Sequence, residues 1–423
     1  MHGMSPTDIP GPGEPGTSRL IAHGRIVSDG SSIDDAVVAV EDDRIEYAGP
    51  AADFDAVAFG GTVLELPPDA VLLPGLVDLH CHGAAGVDFP SADEESARRG
   101  VGYLHRSGTT MPLASLVAAP RDDLLRGIDV FAQLDAEDLV AGIHLEGPFL
   151  SPAQCGAQDP AHLLDPDTDL AMELIEAASG ALATMTYAPE LPGAADLVDL
   201  LTTHGVTPSL GHTDCDDATA DASLEQARDG LSAAGYDGAE GVPTVTHLFN
   251  AMPPLHHRSP GPVAASLRAA AAGGAVVELV GDAVHLDPAM VRTVYALVGA
   301  ANIALVTDSM AAAGLTDGHY TLGTSPVTVA GAIATLDSSG AIAGGTATLL
   351  EVVCRAASAG VPLEEAVLSA TAVPAAVLGR ADEFGSLRRG LRADFVATDG
   401  ALNLVSVVRG GELLPAPAAD YSR

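Results

Sequence analysis

The sequence predicts a TIM-like (β/α)8 barrel carrying a small β-sandwich assembled from both chain ends. Three observations predict it. From Leu72 to about Gly379, short apolar runs alternate with Ala-, Leu- and Glu-rich helical segments, the rhythm of repeated βα units. Outside that stretch, the segments from Arg19 and from Ala393 read as β-prone runs broken by Gly, Asp and Ser turns. The chemically versatile side chains fall at or just after the C-terminal ends of the central runs, and in a (β/α)8 barrel that face gathers residues from several strands.

A chain of 423 residues with 47% hydrophobic content suits one barrel-sized domain and a small companion. The expected boundaries are a tail at 1–17, sandwich at 18–72, barrel at 73–379, and the rest of the sandwich with a tail at 380–423. Aromatics are 4% and Trp is absent, so Ala, Gly, Leu and Val must fill the core by close packing. The chain has no lysine; its 19 basic residues are all arginine, against 57 acidic ones. That excludes a Schiff-base lysine, a P-loop lysine and a carbamylated lysine between two metals, so any bridging ligand is a carboxylate or water. A net charge of −38 argues against nucleic acid and anionic membranes as partners, and an anionic substrate would need a local cluster of donors.

Met1–Gly16 is rich in Pro and Gly and lacks the basic and apolar regions of a signal peptide, so a frayed tail is expected. Val294 to Val306 is too short for a membrane helix and contains Asn302, and a cytoplasmic location is expected. Cys81, Cys155, Cys215 and Cys354 form no C-x-x-C pair and are expected as reduced thiols.

Taken in order, the first β-prone runs are Leu20-Ile21, Arg25 to Val27, Ala36 to Val40 and Arg44 to Ala48. They are matched by Ala393 to Thr398 and Leu404 to Val408, with Gly410-Gly411 as a turn, so the two ends are expected to pair. The barrel runs include Ala141 to Leu145, Thr207 to Leu210, Val242 to Leu248, Ala275 to Val280 and Ile303 to Thr307. His80 and His82 follow an apolar strand at period-two spacing, which turns both imidazoles to one side for one ion. Glu146 ends a run and is followed by Gly147-Pro148; such a carboxylate beside an apolar core needs a cation or metal. His212 and His247 stand at two later strand ends. Glu, His and His with an open fourth position make a catalytic site of the zinc type. Asp308 ends a late strand, where it can accept a proton from water, and His285 would face the same pocket.

These segments resemble, in order and spacing, those of the N-acetylglucosamine-6-phosphate deacetylases of the amidohydrolase superfamily. The likeness covers nearly the whole chain: Pro74 to Gly83, His144-Leu145-Glu146-Gly147-Pro148-Phe149-Leu150, Leu210 to Thr213, Thr246-His247-Leu248-Phe249-Asn250-Ala251-Met252, Val306 to Met310 and Ala343 to Thr346. The resemblance implies that Glu146, His212 and His247 hold the main divalent ion, of the zinc type, with Asp308 as general base and then acid. It implies substrate contacts from His285, Asn250 and Ala251, and a 6-phosphate held by Arg258 from the partner subunit of a homodimer. A guanidinium suits that role, gripping phosphate through two parallel hydrogen bonds. Some family members lack H-x-H and use one metal; here His80 and His82 would hold a second, giving one or two ions per subunit.

The sequence departs from the family at Gln158, where a histidine often polarises the acetyl carbonyl; a Gln amide can still donate to a carbonyl oxygen. The readings left open are a deacetylase of the galactosamine epimer, another amidohydrolase such as a cyclic-amide hydrolase or deaminase, and a non-catalytic barrel.

Overall fold

Eight short runs rich in Val, Leu, Ile and Thr become the staves of a closed parallel barrel. They are β1 (Leu76–Asp78), β2 (Thr109–Pro112, continued by Ala114–Val117), β3 (Ile143–Glu146), β4 (Leu182–Tyr187), β5 (Thr207–Leu210), β6 (Thr244–Val245), β7 (Val276–Leu279) and β8 (Ile303–Leu305). The continuation of β2 and the strands to β8 form one seven-stranded sheet, and β1 pairs in parallel with the first part of β2. The ring closes where the Asp308 N–H donates to the His80 carbonyl at 2.9 Å and Cys81 bridges Ser309. The computed structural model describes residues 18–236 and 238–415, so the expected N-terminal tail lies outside the described residues.

A helix follows each strand: α1 (Glu94–Arg106), α2 (Arg121–Ala136), α3 (Thr168–Ala178), α4 (Ala194–Thr203), α5 (Asp217–Ala233), α6 (Gly261–Ala271), α7 (Pro288–Val298) and α8 (Leu349–Ser358). Part of the acidic excess serves their starts. Asp93, Asp167, Asp216 and Asp287 cap α1, α3, α5 and α7 by accepting first-turn amides, and Thr348 with Glu351 forms a capping box on α8. Between β8 and α8 an antiparallel flap of Gly318–Leu322, Ser325–Ala330 and Ile333–Leu336 packs on the mouth through Val117, Met310, Leu322 and Val327.

The chain ends pair as the sequence predicts, in one eight-stranded mixed sheet. Val71–Pro74 joins them, lying parallel to Arg19–Ser28 and antiparallel to Phe395–Thr398. The sheet's main core brings Ala22, Val38 and Ile45 against Leu72, Phe395 and Val408, and a smaller cluster gathers Ile21, Val37 and Ala39 with Tyr47, Phe54 and Phe59. No helix among the described residues is long and apolar enough to cross a membrane.

Sheet and barrel are locked by Arg392, whose buried guanidinium pairs with Asp394 at 2.7 Å and also with Asp138, beyond α2. Removing one partner of a buried pair strands the other's charge, so Arg392→Ala is expected to cost about 3–5 kcal/mol. Denaturant unfolding checks this; a loss under about 1 kcal/mol, the range of exposed pairs, would contradict the lock.

Candidate metal centre and its cavity

The strand ends that carry the chemistry share a backbone device. Glu146 is the last residue of β3, and Gly147 at φ 97° turns the chain away from it. His212, His247 and Asp308 follow β5, β6 and β8 in the left-handed region, at φ 45°, 28° and 46°. Such a conformation costs an L-residue about 1–3 kcal/mol and persists where the surroundings hold it, as functional sites do. Here it ends each strand with its last side chain in the barrel mouth.

Glu146 Oε1 lies 2.9 Å from His247 Nε2 and 3.0 Å from His212 Nε2, and those two nitrogens are 3.1 Å apart. Its Oε2 lies 3.2 Å from His82 Nε2, and His80 Nε2 is 2.9 Å from His82 Nε2. Asp308 Oδ1 stands 3.5 Å from both His80 and His82. Two three-residue sets result, Glu146/His212/His247 and His80/His82/Asp308, with the donor atoms of each within 4.8 Å of one another. Glu146 touches both.

The outer faces of three of the four rings are already engaged. His80 Nδ1 meets Glu278 Oε2 at 3.1 Å, His82 Nδ1 meets the Ser115 carbonyl at 3.2 Å, and His212 Nδ1 meets the Gln154 carbonyl at 2.9 Å. Those oxygens accept, so the ring proton sits on Nδ1 and the Nε2 lone pairs converge, as in metal-ligating histidines. Neighbouring nitrogen lone pairs about 3 Å apart repel unless a cation lies between them, and tetrahedral bonds of about 2.1 Å to nitrogen separate ligands by only slightly more. The donor set therefore fits a divalent ion. The pocket calls for positive charge: burial would raise the Glu146 pKa, but His80 and His212, as imidazolium cations, hold it well below the usual carboxylate range, and an ion supplies the same charge among neutral rings. Burial would likewise raise that of Asp308, and His80 and His82 bring it down.

A cavity of about 230 Å³ opens from this cluster, lined by His82, Glu146, Gln158, His212, His247, Asn250, Ala251, His285 and Asp308 and, from the flap side, by Leu322 and Ile342. His285 is held through Nδ1 by Asp282 at 2.8 Å and brings Nε2 to 3.8 Å from Asp308. Asn250 donates to the His247 carbonyl at 3.1 Å. Gln158 is buried; its amide NH2 donates to Glu146 at 2.5 Å and its oxygen accepts from the Ala118 N–H at 2.8 Å. Two of the expected residues do not line the cavity: His80 is fully buried behind it, and Arg258 is exposed beside His257, at 2.9 Å.

Sequence reasoning missed Glu278 and Asp282. Glu278 also accepts the His247 N–H at 3.1 Å, and its signal was a lone carboxylate inside the apolar run Val276–Leu279. Asp78 was likewise passed over; it takes the Thr307 hydroxyl at 2.7 Å and clamps β1 to the end of β8. Buried Cys81 and Cys215 have thiols pushed up to about 12, which leaves them unreactive.

A closed parallel barrel with paired His and carboxylate sets at its C-terminal mouth defines a metal-dependent hydrolase. The model of the amidohydrolase family matches residues 71–419, and the chain belongs to that family. It is similar to the N-acetylglucosamine-6-phosphate deacetylases of Bacillus subtilis (34% identical over 341 residues, 77% of this chain and 79% of the relative) and Vibrio furnissii (32% over 389 residues, 90% and 91%). Among solved structures, it is similar to a mutant N-acetyl-D-glucosamine-6-phosphate deacetylase from Mycobacterium smegmatis in complex with N-acetyl-D-glucosamine-6-phosphate. That likeness has 33% identity and a TM-score of 0.84, covering 94% of this chain and 99% of the other. The Thermotoga maritima enzyme is 28% identical with a TM-score of 0.77, covering 93% and 99%.

Binding that exists only in the folded state stabilises it, by about 2.7 kcal/mol at a hundred times Kd. Chelator-treated protein is therefore expected to melt below protein restored with zinc, and superimposable melting curves would contradict the metal reading.

Proposed function

We propose that the chain hydrolyses N-acetyl-D-glucosamine 6-phosphate to D-glucosamine 6-phosphate and acetate, a step of amino sugar metabolism. The observation that carries the mechanism is the position of Asp308. Its side chain is 12% exposed, toward the cavity, against 5% for Glu146, so it is the carboxylate free to exchange a proton with substrate.

Glu146, His212 and His247 would hold the primary ion, of the zinc type, whose chemistry is Lewis acidity: it acidifies water and polarises a carbonyl oxygen. His80 and His82 with Asp308 would hold a second. Asp308, kept ionised, takes a proton from the attacking water, whose oxygen bonds to the acetamide carbon. The C–N bond then breaks, Asp308 returns the proton to the departing nitrogen, and acetate leaves with the water oxygen. His285, fixed by Asp282, reaches the sugar or the carbonyl oxygen through Nε2. Gln158 keeps a second amide hydrogen for the acetyl oxygen while its first holds Glu146. Asn250 and Ala251 line the sugar's path.

Arg258 would bind the 6-phosphate of the neighbouring subunit in a homodimer, which accounts for its exposure outside its own cavity. A charged phosphosugar does not cross a bilayer unaided, and the four free thiols suit a reducing compartment, so the reading includes a cytoplasmic location.

Asp308→Asn is expected to keep the ion on Glu146, His212 and His247 and lose acetate release by at least about 10²-fold, the scale of general acid–base catalysis. Near-normal turnover would remove Asp308 from that role. Arg258→Ala is expected to lose about 10–100-fold in kcat/KM on the phosphosugar, the worth of a charged hydrogen-bonded contact. Mixing the two variants decides where Arg258 acts. Activity regained in mixed dimers means that it serves its partner's site, and no recovery would contradict the shared site.

A further inference from the structure

Barrel interiors are ordinarily filled by layers of branched apolar side chains. Beneath the metal-ligand layer here lies a polar one. Ser115 Oγ meets His144 Nδ1 at 2.9 Å, and His144 Nε2 meets Thr186 Oγ1 at 2.8 Å. Thr186 Oγ1 meets Thr246 Oγ1 at 2.7 Å, and Thr246 meets Ser209 Oγ at 2.6 Å. The five side chains come from β2, β3, β4, the end of β6 and β5, and all are buried. Such a network carries the desolvation of every member, whereas apolar residues of similar volume would pack without it.

One end of the chain of hydrogen bonds touches the metal centre. The Ser115 hydroxyl accepts the N–H of Cys81 at 2.9 Å, the residue between His80 and His82, while the Ser115 carbonyl takes His82 Nδ1 at 3.2 Å. The His144 ring stands edge-on to that of His80, 4.6 Å between centroids. His144 itself offers nothing to an ion, because hydroxyls occupy both its nitrogens.

We infer that His144 is a positioning residue for the His80/His82/Asp308 set: through Ser115 it fixes the H-x-H segment, and with it the affinity of the second ion. The inference rests on the two-set reading of the metal centre. Outer partners of metal ligands typically contribute 10–100-fold to metal affinity. The effect runs through one half of the network. Asn at 144 can keep the bond to Ser115 and loses Thr186; Gln can keep Thr186 and loses Ser115.

The test is zinc chloride titration of chelator-treated, full-length wild type, His144→Asn, His144→Gln and His144→Leu, with a thermal melt of each. We expect two ions for wild type and His144→Asn. The weaker ion should bind about 10–100-fold less tightly in His144→Gln and His144→Leu, with the tighter one unchanged. Both amide variants lose one hydrogen bond, so their melts should fall together. Equal loss of the second ion in His144→Asn and His144→Gln would reduce His144 to a packing role and overturn the inference, as would unchanged binding in His144→Gln. One ion in wild type would remove the second site itself, and the inference with it, while leaving the Glu146/His212/His247 reading intact.

Discussion

Four imidazoles and two carboxylates can share one dry barrel mouth only if positive charge lies among them, and Glu146 is where that constraint is met. Its two oxygens lie between 2.9 and 3.5 Å from His80, His82, His212 and His247, and it is almost wholly buried. A buried carboxylate without compensation costs several kcal/mol, and His80, His82 and His212, whose outer nitrogens are pinned by oxygens, present lone pairs instead of protons. A divalent ion satisfies both demands. In a chain with a net charge of −38, such an ion is also what makes an acidic protein's pocket hospitable to a phosphosugar.

The architecture serves that gathering. A parallel barrel points every strand's C-terminal end to one face, so β1, β3, β5, β6 and β8 each deliver a side chain from distant parts of the sequence. Left-handed residues at three of those ends hold local strain, and the surrounding hydrogen bonds hold the strain in place: Glu278 on the His247 N–H, Asp78 across to Thr307, and the Ser115–His144–Thr186 layer beneath. The terminal sheet braces the opposite side through Arg392, away from the chemistry.

Much of this was legible in the sequence, for a physical reason: a charged or metal-ligating side chain at the end of an apolar run breaks the run's pattern, and Glu146, His212, His247 and Asp308 all do so. Glu278 escaped because it sits inside its run, and its partner His80 is 198 positions away. His144 lay in plain view two residues before Glu146, but its role depends on hydroxyls from other strands. Run lengths were also overstated. Val242 to Leu248 reads as one strand, yet β6 spans only Thr244–Val245, since Pro243 has no N–H to give and His247 turns left-handed. The flap between β8 and α8 was absorbed into the barrel rhythm because its alternation is short. The pairing of the chain ends was readable from their shared β pattern, and Val71–Pro74 accomplishes it within a single sheet.

The most direct measurement is acetate release from N-acetyl-D-glucosamine 6-phosphate and from unphosphorylated N-acetyl-D-glucosamine, before chelation, after it, and after zinc is restored. The account predicts release from the phosphosugar, loss on chelation, recovery with zinc, and far slower release from the sugar without phosphate. Release that persists undiminished in metal-stripped protein would contradict the central claim that the cluster around Glu146 is a hydrolytic metal centre.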